Sequence, residues 1–130
     1  MPLVLTVLLL GSVIAFAGCD TFNHSEVKVT FLNSTDSLLC DDYYYALPSE
    51  GTPNVEAGCS NEVKPLGRIT RLPGCDHGAV DLIVTITVAS DGREIHNRRA
   101  TRKEWNDARA TFIIKQRGDE FAVTDSLPEN

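Results

Sequence analysis

The sequence predicts an all-β domain, a small β-sandwich of about seven short strands with one short helical turn, following an N-terminal signal segment. Three observations carry this prediction. Apolar and polar side chains alternate with a period of two at residues 27–32 and 80–88, the pattern of a strand with one buried face. Turn-forming clusters recur between the apolar runs, at Asn33-Ser34-Thr35-Asp36, Pro73-Gly74, Ala89-Ser90-Asp91-Gly92 and Arg117-Gly118-Asp119, as in a fold made of short strands. Nine Gly and six Pro scattered through 130 residues leave no room for sustained heptads, and the chain after residue 18 is too poor in apolar residues for a bundle of membrane helices.

The chain divides into a signal peptide at 1–18, a short lipid-bearing tether at 19–25 and the sandwich domain at 26–127. Residues 3–17 read LVLTVLLLGSVIAFA, an uncharged apolar run of the length expected for the core of a secretory signal. In the domain, Val27, Val29 and Phe31 form the inward face of a first strand, and residues 33–36 turn the chain into a hairpin or a sheet-switching corner. Residues 37–45 resume as a strand. Residues 47–61 hold Pro48, Gly51, Pro53 and Gly58 without periodicity, so they read as a long loop. A short strand at 67–72 carries Ile69 inward.

Residues 80–88 form the strongest element, a central strand with Val80, Leu82, Val84, Ile86 and Val88 on one face and Asp81, Thr85 and Thr87 on the other. Ile83 on that second face implies that it too is partly covered. The turn at 89–92 leads to an antiparallel partner at 93–99. Thr101-Arg102-Lys103-Glu104 fits a capping box, which predicts one or two helical turns to Ala108 with Trp105 facing the sheets. Residues 110–116 and 120–125 make a last hairpin. The count of strands and the turn spacing describe a sandwich of immunoglobulin-like size, although the Cys…Trp…Cys spacing of antibody domains is absent.

At the end of the signal segment, Ala15-Phe16-Ala17-Gly18-Cys19 resembles the lipobox of bacterial lipoproteins. Ala17, Gly18 and Cys19 match it, and Phe16 stands where that class usually has Leu. The resemblance implies that Cys19 is lipidated, becomes the mature N-terminus and anchors an extracytoplasmic domain to the cell membrane. Asp20 to Ser25 would then be a tether of only ~20 Å at full extension. Ala15-Phe16-Ala17 is also an A-x-A site, and cleavage there would release a soluble secreted protein with two disulfides. An uncleaved anchor is a third outcome. All three place the domain outside the cytoplasm.

Four cysteines, at 19, 40, 59 and 75, fit an oxidising compartment. With Cys19 lipidated, the expected disulfide is Cys40 to Cys59, because the Pro- and Gly-rich loop can fold back and bring Cys59 beside the strand that holds Cys40. Cys75 is then left over. Asn23-His24-Ser25 and Asn33-Ser34-Thr35 match glycosylation sequons, read here as chance.

The formal net charge of −6 argues against nucleic acid as a partner. Residues 20–63 are acidic, 64–117 basic and 118–130 acidic. Arg93, Arg98, Arg99, Arg102 and Lys103 form the one local basic cluster, either a contact for anionic lipid or a wall polymer, or a solvated edge that discourages strand pairing. Tyr43, Tyr44 and Tyr45 cannot all face inward on one strand, so these rings, with Asp41 beside them, are a candidate binding surface for an envelope protein or glycan.

No catalytic constellation emerges. There is no G-x-S-x-G, and adjacent Asp41 and Asp42 point to opposite faces. An envelope hydrolase is therefore a weak alternative. So is a metal-binding protein: Cys75-Asp76-His77, with Cys40 and His24 or His96, follows no metal-ligand template. Arg117-Gly118-Asp119 is turn chemistry. The expectation is a non-enzymatic binding or accessory domain with no cofactor and no metal.

Overall fold

The computed structural model describes residues 27–51, 59–73 and 81–129. They form eight strands and one helix: β1 (Val29–Ser34), β2 (Leu39–Ala46), β3 (Asn61–Val63), β4 (Arg68–Arg71), β5 (Asp81–Val88), β6 (Glu94–Thr101), α1 (Arg102–Asp107), β7 (Thr111–Arg117) and β8 (Glu120–Asp125). Two four-stranded sheets face each other. The first has the order β4-β1-β7-β8 and the second β3-β2-β5-β6. The chain is an all-β sandwich, and the one strand that sequence patterning did not anticipate is the three-residue β3.

Residues 33–36 make a corner and not a hairpin, because β1 and β2 lie in different sheets. Asn33 is what turns the chain. It keeps the inward parity of Val29 and Phe31, so its amide is buried and must find partners. Its Oδ1 accepts from the backbone N–H and hydroxyl of Thr35, and its Nδ2 donates to the carbonyls of Ser37, Val63 and Lys64. One side chain thus ties the β1–β2 crossing to the β3–β4 crossing. Gly67 completes that joint: a Cβ there would sit 2.8 Å from the Lys64 carbonyl oxygen.

β5 lies between β2 and β6, antiparallel to both. Leu82, Val84, Ile86 and Val88 enter the core, while Ile83, Thr85 and Thr87 are buried on the opposite face. The β5–β6 turn has Gly92 at φ +72° and the β7–β8 turn Gly118 at φ +62°, conformations glycine adopts without strain.

The capping box forms. The Thr101 hydroxyl accepts from the Glu104 N–H, and the Glu104 carboxylate accepts from the Thr101 N–H. This starts α1 in the register that drives Trp105 into one end of the sandwich. There the indole N–H donates to the carbonyls of Leu82 and Ala100 at 2.8 and 3.1 Å, so a large ring is buried with its polar atom satisfied. Phe112 packs against Trp105 on one side and stacks on Phe31 on the other. The core centres on these three rings and the inward faces of β2 and β5.

Candidate functional site

Cys40 and Cys59 are joined, with Cα atoms 5.1 Å apart. Cys19 and Cys75, with His24 and the rest of the signal and tether, lie outside the described residues.

The expected Tyr surface divides only partly along the strand alternation. Asp41 and Tyr43 share the inward parity of Leu39. Asp41 is 0% exposed, and Tyr43 packs against the core and donates its hydroxyl to the Asp41 carboxylate. Arg71, on β4 of the facing sheet, brings Nε to 3.3 Å from the same carboxylate and donates Nη2 to the Glu62 carbonyl. Asp41, Tyr43 and Arg71 therefore clasp the two sheets at one side of the sandwich. Burial raises the Asp41 pKa above the usual carboxylate value, against the lowering effect of Tyr43 and Arg71. Burial, and then the Asp41 charge, raise the Tyr43 pKa. Tyr43 is only partly buried, Tyr44 is half-buried on the outer face of the second sheet, and Tyr45, which has the parity of Tyr43 but lies near the strand end, is 40% exposed and donates its hydroxyl to the Pro73 carbonyl. Burial and the charges of Asp42 and Glu94 raise the Tyr44 pKa.

A second clasp closes the other side. His96 on β6 contacts Asp125 on β8 at 2.8 Å, and Arg98 Nε lies 3.4 Å from the same oxygen, an ionic contact outside hydrogen-bond geometry. Arg98 also donates to the Pro128 carbonyl, and the His96 ring stands edge-on to Phe112.

The basic cluster of the sequence is consumed in this way. Besides Arg98, Arg99 pairs with Asp81, Lys103 with Asp107, and Arg93 lies over the Phe121 ring while donating to the Asp119 carbonyl. Arg102 is engaged as well.

Apart from Lys64, between β3 and β4, the Lys and Arg residues without side-chain partners among the described residues gather elsewhere, on the outer face of the first sheet. Its registers place Thr70, Thr30 and Thr111 in one row, then Arg68, Leu32, Ile113 and Thr124, then Lys115 beside Ala122, then Arg117 opposite Glu120. At one end of this face an open cleft of about 620 Å³ is lined by Lys28, Thr30, Thr70, Asn106, Arg109 and Thr111. Arg109 holds φ +48°, just beyond the helix end at Ala108, where glycine is the usual occupant. The outward parity of Lys28, Thr30, Thr111, Lys115 and Arg117 was readable from the strand alternation. Which strands would be neighbours was not.

Among the described residues no group of three or more His, Cys, Asp or Glu is placed to hold a metal ion, and no helix is long and apolar enough to cross a membrane. Comparison with protein-family models, with curated proteins and with solved structures gives no match to this chain.

Proposed function

We propose that this chain is an extracytoplasmic β-sandwich, anchored to the membrane by lipid on Cys19, that serves as a non-enzymatic binding or accessory module. The observation that carries the reading is the Cys40–Cys59 disulfide. Structural disulfides persist in oxidising compartments, which agrees with a secretory signal and gives no support to a cytoplasmic home.

The non-enzymatic part rests on how the polar groups are used. The buried carboxylate of Asp41 is held by Arg71 from the facing sheet and by the Tyr43 hydroxyl of its own strand, and that of Asp125 by His96 and Arg98 of β6, so their chemistry is spent in joining the sheets. The accessible polar surface is the threonine- and cation-rich outer face of the first sheet, a surface suited to contact. The secreted soluble form is the second reading, favoured by Ala15-Phe16-Ala17 and an even number of cysteines.

Intact-mass measurement of the mature protein separates the two. The expected product begins at Cys19 and carries acyl chains, at least two being needed for stable anchoring. A mass that begins at Gly18 without lipid overturns the anchored reading in favour of secretion. A mass of the whole chain overturns it in favour of an uncleaved anchor.

A further inference from the structure

The geometry points to the outer face of the first sheet as a docking surface for anionic phospholipid headgroups of the membrane to which the chain is tethered, with Lys28 and Arg109 as its principal contacts. This rests on the anchored reading above and adds to it an orientation: the domain lies on its bilayer, first sheet down.

Three observations meet on this face. The first is charge. In a chain of net charge −6, the outward positions of β1, β4 and β7, with the flanking Lys28 and Arg109, carry Lys28, Arg68, Arg109, Lys115 and Arg117. The only acid in the same registers is Glu120, opposite Arg117 at the far end. Of the cations elsewhere, Arg71, Arg98, Arg99 and Lys103 have carboxylate partners, Arg93 lies over the Phe121 ring and Arg102 is engaged, which leaves Lys64 as a single cation apart from the five gathered on this face.

The second is the composition of the cleft. Thr30, Thr70, Thr111 and Asn106 line the cleft together with Lys28 and Arg109. Thr30 and Thr70 hydroxyls are within 3.1 Å of each other, leaving donors and acceptors for a phosphodiester and the hydroxyls of its glycerol or sugar. Leu32 and the 36% exposed Ile113 in the adjoining row supply a modest apolar contact for the headgroup boundary. Arg109 occupies a backbone conformation that glycine would hold with less strain, so its side chain can be removed without loss of the turn.

The third is where the chain leaves the domain. Lys28, at the rim of the cleft, directly precedes β1, and eight residues separate it from Cys19, at most about 30 Å of backbone. A lipid on Cys19 therefore holds this end of the first sheet near the headgroups, and the favourable approach is the face that is positive.

Near an anionic surface each Lys or Arg contributes about 1 kcal/mol, which is a factor of about five in the docking equilibrium at 1.4 kcal/mol per tenfold. The test places the full lipidated protein in nanodiscs of phosphatidylcholine, with and without phosphatidylglycerol, doped with a headgroup-spin-labelled lipid. Paramagnetic broadening of the threonine methyl resonances is read by NMR. Thr30, Thr70 and Thr111 are expected to broaden well beyond Thr85 and Thr87, which lie on the opposite outer face, only when phosphatidylglycerol is present, and to recover in high salt.

Arg109→Gly and Lys28→Gln should each lower the docked-to-undocked ratio about fivefold. Arg109→Gly should leave the urea midpoint unchanged or raised, because glycine relieves the left-handed backbone; a lowered midpoint with unchanged broadening would make Arg109 a structural residue and overturn its assignment. Equal broadening of both threonine sets, or broadening independent of phosphatidylglycerol, overturns the docking face while leaving the tether intact. Failure of the protein to co-elute with the discs overturns the tether itself, and with it docking in this form.

Discussion

Replacing Arg71 by Leu removes the cation that crosses from β4 to the buried carboxylate of Asp41. Breaking a buried pair by deleting one partner costs ~3–5 kcal/mol. The Arg71 side chain is 22% exposed, so solvent screens part of the loss and about 3 kcal/mol is expected at neutral pH. The pH dependence is the sharper part of the test. Asp41 has a folded-state pKa raised above 3.8, so it binds its proton more tightly in the folded than in the unfolded chain. Its contribution to stability is therefore full below the unfolded value and falls as pH rises through the folded one. Arg71 is one of the groups that hold this pKa down. Without it the pKa climbs further, and the ionised carboxylate at neutral pH becomes costlier to bury. At pH 4 a larger share of the carboxyl is neutral than at pH 7 and has less need of a cation, so the loss should shrink toward about 1 kcal/mol, the hydrogen bond to the Glu62 carbonyl. Urea titrations of both proteins at the two pH values, followed by the fluorescence of the single Trp105, give the comparison, provided that the denaturant slope is unchanged. A loss that is the same at pH 4 and pH 7, or greater at pH 4, would refute the assignment of Arg71 as the counterion of a buried, titrating Asp41.

Two further outcomes test the fold. The Cys40→Ser, Cys59→Ser double variant should lose about 3 kcal/mol in the chain-entropy account for a bridge that closes a separation of 19 residues; a urea midpoint unaltered by the double substitution or by reductant would show that the bridge is absent in solution. Ile86→Ala should cost ~3 kcal/mol through lost burial and a residual cavity, whereas Ile113→Ala on the outer face should cost under about 1 kcal/mol, and reversal of that order in thermal melts would invert the assignment of inner and outer faces.

The elements that sequence patterning disclosed are those whose signal is local. β5 announced itself through Leu82, Val84, Ile86 and Val88, and Ile83 between them correctly marked a second covered face. Thr101 and Glu104 are three residues apart and form a reciprocal cap that few other arrangements satisfy. β3 has three residues, Asn61, Glu62 and Val63, too few to show a period, and exists because β2 offers it an edge. The roles of charged residues were the least legible. Arg93, Arg98, Arg99 and Lys103 are neighbours in sequence and read as one patch, yet Arg98 finds Asp125 and Arg99 finds Asp81 across strand pairings that no short window contains. Asp41 looked like a polar companion of exposed tyrosines. Its inward parity was present in the alternation with Leu39, but a buried carboxylate is credible only once Arg71, thirty residues away, is known to reach it.

The parallel pairing of β1 with β7 sets an order of events in time. Thr30 lies beside Thr111 and Ser34 beside Lys115, so the first strand of the domain is enclosed on one side by β4 and on the other by a strand from near the end of the chain. Until residues 111–117 have emerged, β1 has an open edge and the ring stack of Phe31 on Phe112 has only one member. Contacts of such sequence separation form late and slowly. A chain synthesised from its N-terminus is thereby kept from closing its core before synthesis is nearly complete, and Trp105, buried only when β6 and β7 flank it, would report the moment of closure as a single late change in fluorescence.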